Sequence, residues 1–163
     1  MGEQPWVIEY AVIDSLHMNA VIGDLEPGES ALSPRVVDRI GAYGMLQFHT
    51  MWEVPKVRDN ATAELIEAYN TYEREVIDEM ETPPDRRYQQ VHQGHLTALQ
   101  PGERALLDDQ RLRANSLTGP ADMLLDEIRA LEAAGVNNVT LWAPPGKVRE
   151  TIAEFSQEII AKL

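Results

Sequence analysis

The chain contains 163 residues, of which 27 are acidic and 14 are lysine or arginine, so its formal net charge at pH 7 is −13. With 44% hydrophobic and 25% charged residues, the composition is that of a folded globule, and we expect one domain over residues 1–163. Excess negative charge repels phosphate backbones and anionic lipids, so we expect no nucleic-acid partner and no membrane partner. The chain has no cysteine, no apolar run of bilayer length and no secretory signal at its start, which predicts a cytoplasmic protein without disulfide or thiolate chemistry.

The first third of the chain predicts a strand followed by a helix. Residues 6–13 are rich in β-branched and aromatic side chains and predict a strand, which residues 19–22 continue or pair with. After a Pro-Gly turn, residues 33–52 predict a helix that begins with a serine N-cap and a proline at the first helical position. Gly41 and Gly44 either weaken this helix or permit close packing against it.

A second long helix is predicted over residues 61–81, with Asn60 or Thr62 as its N-cap. Apolar side chains at helical spacing form its expected buried stripe: Leu65, Ile66, Tyr69, Tyr72, Val76, Ile77 and Met80. Residues 73–81 carry five carboxylates around one arginine, which is typical of a solvated helix face, with a cation site as the alternative. The proline pair at 83–84 ends the helix.

The last third of the chain predicts alternating strands and helices. Residues 112–118 predict a brief strand, residues 121–134 a helix ended by a glycine, residues 136–142 a strand, and residues 147–163 a closing helix. This order is typical of right-handed parallel crossovers, so we expect an α/β fold in which the two strands are parallel neighbours. In the closing helix the side chains expected to face inward are Val148, Ile152, Phe155, Ile159 and Ile160, and in the preceding helix Leu131 is expected to be buried.

Two loops at expected strand ends are candidate anion sites. Residues 115–120 combine two hydroxyls with a glycine that allows close backbone approach, and residues 143–147 end in a lysine at a helix start. Helix amino termini at strand ends direct free N–H groups toward anions, so a phosphate suits either loop. The alternative, which the residues favour, is that both loops are simple capping turns.

Residues 85–107 have poor periodicity and predict an ordered loop with a short helix near its end. This loop contains His92 and His95, which suit either a polar pocket wall, with one imidazole as proton donor or orienting group, or structural hydrogen bonds. Gly94 and the lack of an adjacent third ligand argue against a metal. His17 and His49 are expected to be structural or surface groups, and the fingerprints of serine hydrolases, P-loops and dinucleotide-binding folds are absent.

Several segments, in their order along the chain, resemble a known family. They are residues 25–30 (Leu-Glu-Pro-Gly-Glu-Ser), 83–95, 117–122 (Leu-Thr-Gly-Pro-Ala-Asp), 128–136 and 139–141. The carboxyl-terminal segments resemble the last barrel units of the bacterial luciferase-like flavin and deazaflavin oxidoreductases, and the upstream ones resemble one subgroup of that family. The resemblance implies a partial (β/α)8 barrel, like the later part of a TIM barrel, because a whole barrel needs about 250 residues.

The resemblance also implies a cofactor, FMN or a deazaflavin, and candidate residues for the site. His92 and His95 are the candidate catalytic residues on the pocket wall, and Ser116, Thr118 and Gly119 are candidates for the side that binds the cofactor phosphate. Gly146 and Lys147 are added to the cofactor-binding set on electrostatic grounds rather than by family resemblance.

Three functions are compatible with these features. The first is an enzyme component that binds a reduced flavin or deazaflavin for hydride transfer to, or monooxygenation of, a small-molecule substrate. The second is a non-catalytic scaffold or regulatory subunit derived from the same fold, and the third is a small ligand-binding α/β module. Since a partial barrel leaves open sheet edges, we expect a homodimer or a complementary barrel chain to complete it.

Overall fold

A computed structural model describes residues 17–163, with side chains from residue 20 onward. The strand predicted over residues 6–13 lies outside the described residues. The strands are β1 (His17–Leu25), β2 (Leu117–Pro120) and β3 (Asn138–Trp142). The helices are α1 (Pro34–Gly44), α2 (Leu46–Glu53), α3 (Pro55–Asp59), α4 (Ala63–Tyr72), α5 (Arg87–Val91), α6 (Asp109–Ala114), α7 (Ala121–Ala133) and α8 (Val148–Glu158). Over these residues no helix has the length and apolar character needed to cross a membrane.

The three strands form one parallel sheet in the order β2-β1-β3. The second half of β1 pairs with β2, with Ile22 opposite Leu117, and its first half pairs with β3, with Val21 opposite Trp142. The α/β class is therefore confirmed, but the expectation that β2 and β3 are neighbours was wrong. With nine residues, β1 is long enough to pair with both shorter strands, and it takes the central, buried position between them.

The first predicted helix divides into two. Its start is confirmed: the Ser33 side chain accepts the N–H of Val36, and a proline follows at the first helical position. The expectation of one helix to residue 52 was wrong, because α1 ends at Gly44 and α2 begins at Leu46. A Cβ at Gly44 would lie 2.7 Å from Cδ2 of Leu107, so the glycine permits close packing at the break.

The second predicted helix begins as expected, since the Thr62 side chain accepts the N–H of Leu65. Helix α4 continues into a wider π-helical turn over Glu73–Ile77, and the short helix α3 before it was not predicted. Five members of the expected stripe are buried, namely Tyr69, Tyr72, Val76, Ile77 and Met80, whereas Leu65 and Ile66 are half-buried.

Helices α5 and α6 lie where the sequence predicted a loop and the approach to a strand. Helix α5 lies within the expected loop, while a 3-10 turn over Glu103–Leu106 matches the short helix expected near the loop's end. The strand expected from residue 112 begins only at Leu117, because Asp108 caps helix α6 by accepting the N–H of Arg111. Helix α7 agrees with its prediction, and Gly135 ends it with a φ of 98°.

Two hydrophobic clusters lie on opposite faces of the sheet. Val21 points into the larger cluster, which α1, α2 and α4 complete, whereas Ala20 and Ile22 point into a smaller cluster. The smaller cluster also contains Leu124, Leu125, Phe155 and Ile159 from α7 and α8. Alternation along β1 thus directs neighbouring side chains into separate cores.

The inward face of α8 is narrower than predicted. Phe155 and Ile159 are buried, but Val148, Ile152 and Ile160 are 46%, 53% and 57% exposed, so the expectation for these three was wrong. The buried positions Thr151, Phe155 and Ile159 are four residues apart and form one narrow stripe, while Ile152 and Ile160 lie beside it and Val148 is the first residue of the helix. Leu131 of α7 is likewise only half-buried.

Helix α7 allows a direct test of this packing. Leu124 is fully buried, so we expect Leu124→Ala to lower the free energy of unfolding by about 2–5 kcal/mol. Leu131→Ala removes the same atoms from a half-buried site and should cost less than half as much. Urea unfolding of both variants measures the difference, and equal losses would contradict the assigned face of α7.

Candidate functional site

The candidate residues His92 and His95 lie in one cluster with a third histidine. The His92 and His95 rings are 5.0 Å apart between centroids, and the His95 ring is 5.5 Å from that of His49. Nε2 of His92 contacts the carboxylate of Glu53 at the end of α2. The structure therefore brings together the two histidines singled out from the sequence, on the turns that follow α5.

A buried carboxylate anchors this cluster. Oε1 of Glu103 lies 2.7 Å from Nε2 of His49, and its Oε2 accepts the backbone N–H of Gln100 at 2.7 Å. Glu103 is 1% exposed and His49 is 5% exposed. Because water cannot reach these two side chains, they must form hydrogen bonds with protein groups. Sequence reasoning missed this pair because the two residues are 54 positions apart and form no recognisable motif.

The contact between His49 and His95 restricts their protonation. Their Nδ1 atoms are 3.3 Å apart, so one ring must carry a hydrogen on Nδ1 while the other accepts it. Burial lowers the pKa of His95, and the nearby His49 and His92 lower it further, against weaker opposite effects of Glu53 and Glu103. The lowered pKa holds His95 neutral in the folded protein, and its Nδ1 donates or accepts according to its tautomer.

This contact predicts a loss of stability in mild acid. In the folded state the pKa of His95 lies below its ordinary value of 6.5, so the unfolded chain binds the proton more readily. The contribution of His95 is thus present above about pH 6.5 and is lost as the pH falls through the lower folded value. We expect His95→Gln to flatten this part of the stability profile, measured by urea unfolding between pH 5 and 8, and an unchanged profile would contradict the assignment.

A buried tyrosine stands beside the pair of Glu103 and His49. The Tyr72 ring lies 6.0 Å from that of His49, and its hydroxyl has no hydrogen-bond partner within the described chain. Burial raises the pKa of Tyr72, and the nearby Glu103 raises it further, so the phenol stays protonated. The connected polar atoms of His95, His49 and Glu103 can hold and pass a proton. Among the residues that the structure describes, no three histidine or carboxylate side chains are arranged to hold a metal ion.

A separate cavity of about 790 Å³ opens at the carboxyl ends of β1 and β2. Its floor is apolar and belongs to the smaller core, with Ile22, Leu124 and Phe155 among its residues. Neither His92 nor His95 lines this cavity. The candidate catalytic residues and the candidate ligand space are therefore two different places in the fold.

Carboxylates dominate the rim of this cavity. Asp24, Glu26, Asp122, Glu154 and Glu158 line it, whereas the basic residues lining it are Arg35 and Lys162. Both cations are already paired: Arg35 contacts Glu29, and Nζ of Lys162 lies 2.7 Å from Glu158. The hydrogen bond from Arg35 lowers the pKa of Glu29 to about 2, so this carboxylate stays ionised.

Behind the cavity, a buried arginine connects β1 and α8. Arg39 contacts the carboxylate of Asp24, and its guanidinium lies 2.8 Å from Glu150 and 2.7 Å from Glu154. The side chain of Arg39 is 3% exposed. One guanidinium thus holds three carboxylates around the strand end, which leaves the site with excess negative charge.

The candidate phosphate residues of the first loop do not line the cavity, although Pro120 of the same loop does. The Ser116 hydroxyl bonds to Thr118 Oγ1 at 2.6 Å and to the carbonyl of Leu112. Thr118 is buried against Gly23 of β1, and Gly119 lies within β2 rather than in a helix turn. These hydroxyls serve hydrogen bonds inside the fold, and none of the three residues lines the cavity.

The second candidate loop is an exposed turn. Gly146 has a φ of 83°, with nothing within 4 Å of the position a Cβ would take. Nζ of Lys147 lies 3.2 Å from Glu150, one of the carboxylates that Arg39 holds. Neither residue lines the cavity, so the structure does not bring the two candidate loops together around it.

In comparisons with known proteins, no protein-family profile, curated protein or solved structure matches this chain.

Proposed function

We propose that this chain is a component of a luciferase-like flavin- or deazaflavin-dependent oxidoreductase, acting on a small molecule by hydride transfer or monooxygenation. The observation that carries the proposal is the position of the cavity, at the carboxyl ends of two parallel strands and beside the first turn of α7. Ligands of α/β proteins collect at this end of the strands, in closed barrels and in open sheets alike.

On this proposal the three strands correspond to later units of a (β/α)8 barrel. The three described strands are parallel and α7 crosses between two of them, as such units need, but the order β2-β1-β3 and the helices on both faces are those of an open sheet. A second copy of this chain or a complementary chain would then supply the remaining wall of the site.

The described residues do not fit the phosphate end of the cofactor. Five carboxylates surround the cavity, and both cations that line it are paired with carboxylates. An anion brought there would be repelled and would find no free cation. Cofactor binding therefore depends on groups from the completing chain, and within this chain His92 and His95 are assigned only proton holding and transfer.

The same misfit favours a second function, a non-catalytic scaffold or regulatory subunit. The hydroxyls of Ser116 and Thr118 bond to one another, and Lys147 is paired with Glu150. The polar groups of these residues are already paired within the chain and need no ligand. This is expected if the protein acts as a scaffold or binds a partner subunit rather than a cofactor.

Titration of the purified chain with FMN and with a deazaflavin, followed by cofactor fluorescence and by sedimentation, separates these functions. A dimer or a two-chain complex that binds cofactor supports the oxidoreductase component, whereas a stable dimer without affinity supports the scaffold. A monomer that binds cofactor tightly by itself would overturn the proposed shared site.

Two variants probe the candidate cofactor residues in that titration. If these loops hold the cofactor phosphate in the completed site, Lys147→Glu should weaken binding, more strongly at low salt because its contribution is Coulombic, and Ser116→Ala should weaken it at all salt concentrations. Lys56→Glu changes a lysine of the short helix α3 and is the matched control. Unchanged affinity in both test variants would remove the two loops from the site.

A further inference from the structure

We infer that the cavity at the carboxyl ends of β1 and β2 binds a small organic cation, an ammonium or guanidinium group carried on an apolar body. The inference rests on the cavity alone and holds whether or not the chain takes part in redox chemistry. It concerns a substrate or effector, not the anionic cofactor considered above.

The shape of the cavity suits a small molecule with an apolar body. Its volume of about 790 Å³ is within the range of ligand sites, and its floor consists of buried core side chains. Ile22 and Leu124 are 3% and 0% exposed, so these walls are preformed by packing of the sheet against α7 and α8.

The negative charge of the cavity rim favours a ligand with positive charge. Asp24 and Glu154 are half-buried at the inner side, and three further carboxylates stand at the mouth. Their only described counter-ions are arginines already shared among several carboxylates and a lysine paired with Glu158. The carboxylates around the cavity outnumber the described cations that pair with them. A cation that enters the cavity is therefore attracted by their remaining negative charge.

An unsatisfied hydroxyl supplies an independent indication. Thr151 is 3% exposed, lines the cavity, and has an Oγ1 without any hydrogen-bond partner in the described chain. It shares one face of α8 with Glu154, Phe155 and Glu158, all of which also line the cavity. A buried polar atom without a partner is rare, and a donor N–H of a bound ligand would satisfy it.

The test follows the methyl NMR signals of Ile22 and Ile159 during titration of the full chain with three probes of similar shape. Phenethylammonium carries the cation, 2-phenylethanol is its neutral counterpart and phenylacetate its anionic one. We expect saturable shifts with phenethylammonium, weakened by added salt, and much weaker effects with the other two. Equal binding of the neutral or anionic probe would overturn the inference, as would displacement of phenethylammonium by millimolar Mg²⁺, which would indicate a metal-ion site.

Variants separate the ligand contacts from the fold. Glu154→Gln is expected to weaken phenethylammonium binding about fivefold, and Glu132→Gln, on an exposed position of α7, is the matched control. Should Glu154→Gln fail to fold, Glu158→Gln at the rim takes its place.

The variant Thr151→Val distinguishes a ligand contact of the Thr151 hydroxyl from a role of this hydroxyl in the fold alone. The variant removes the unpaired hydroxyl and keeps the shape, so its thermal stability should be equal to or above that of the natural chain. Binding of phenethylammonium should nevertheless weaken about threefold or more, the loss expected for one hydrogen bond. Unchanged affinity in both Thr151→Val and the glutamate variant would overturn the inference.

Discussion

Replacing Glu103 with alanine is expected to lower the free energy of unfolding by about 3–5 kcal/mol. The carboxylate is 1% exposed, and it holds Nε2 of His49 and the backbone N–H of Gln100, each at 2.7 Å. Its removal leaves the buried Nε2 of His49 and the partly buried N–H of Gln100 without this acceptor. Chemical denaturation at pH 7 measures the loss.

Two controls distinguish the buried pair from a general effect of charge. Glu103→Gln keeps an acceptor oxygen in place and should cost less than the alanine variant. Glu75→Ala removes a glutamate whose side chain is 52% exposed and should change stability by about 1 kcal/mol at most. A loss for Glu103→Ala no greater than that for Glu75→Ala would show that the pair with His49 does not support the fold.

Replacing Arg39 with methionine should lower the free energy of unfolding by about 2–3 kcal/mol. The guanidinium is buried, and without it Asp24, Glu150 and Glu154 repel one another around the end of β1. The figure is below that for a fully buried pair because these carboxylates are 30–43% exposed and water hydrates them. Arg104→Met, which removes one exposed ion pair with Asp38, is the control and should have little effect.

The pH dependence of this loss has a definite sign. The hydrogen bond from Arg39 lowers the pKa of Glu150 below its ordinary value of 4.5, so the stabilisation is present above about pH 4.5 and is lost as the pH falls through the lower folded value. The difference between the natural chain and Arg39→Met should therefore shrink in acid. A difference that stays constant from pH 7 to 3 would mean that Arg39 acts by packing rather than by charge.

The starts of α1 and α4 and the end of α7 were the most accurate sequence predictions. Ser33 and Thr62 cap their helices as expected, and Gly135 ends α7 in the left-handed conformation. Each of these features depends on groups within a few residues of one another, and such local preferences are readable without knowledge of the rest of the fold. The break at Gly44 is different, because it depends on Leu107, far along the chain.

The candidate site was only partly predictable for the same reason. The sequence drew attention to His92 and His95, but it gave no sign that His49 and Glu103 complete their cluster. The assignment of cofactor phosphate to the loop around Gly119 stays a prediction: its neighbour Pro120 lines the cavity, but Ser116, Thr118 and Gly119 do not.

The sequence by itself determined the α/β class, the crossover helix α7, the caps of α1 and α4 and the acidic character of the chain, because these follow from composition and short-range periodicity. Tertiary structure decided that β1 separates β2 from β3, that Glu103 and His49 meet in the core, and that carboxylates from β1, α7 and α8 surround one cavity. The physical reason is that these arrangements depend on which distant surfaces exclude water together. That choice is made by the packing of whole elements rather than by the preferences of single residues.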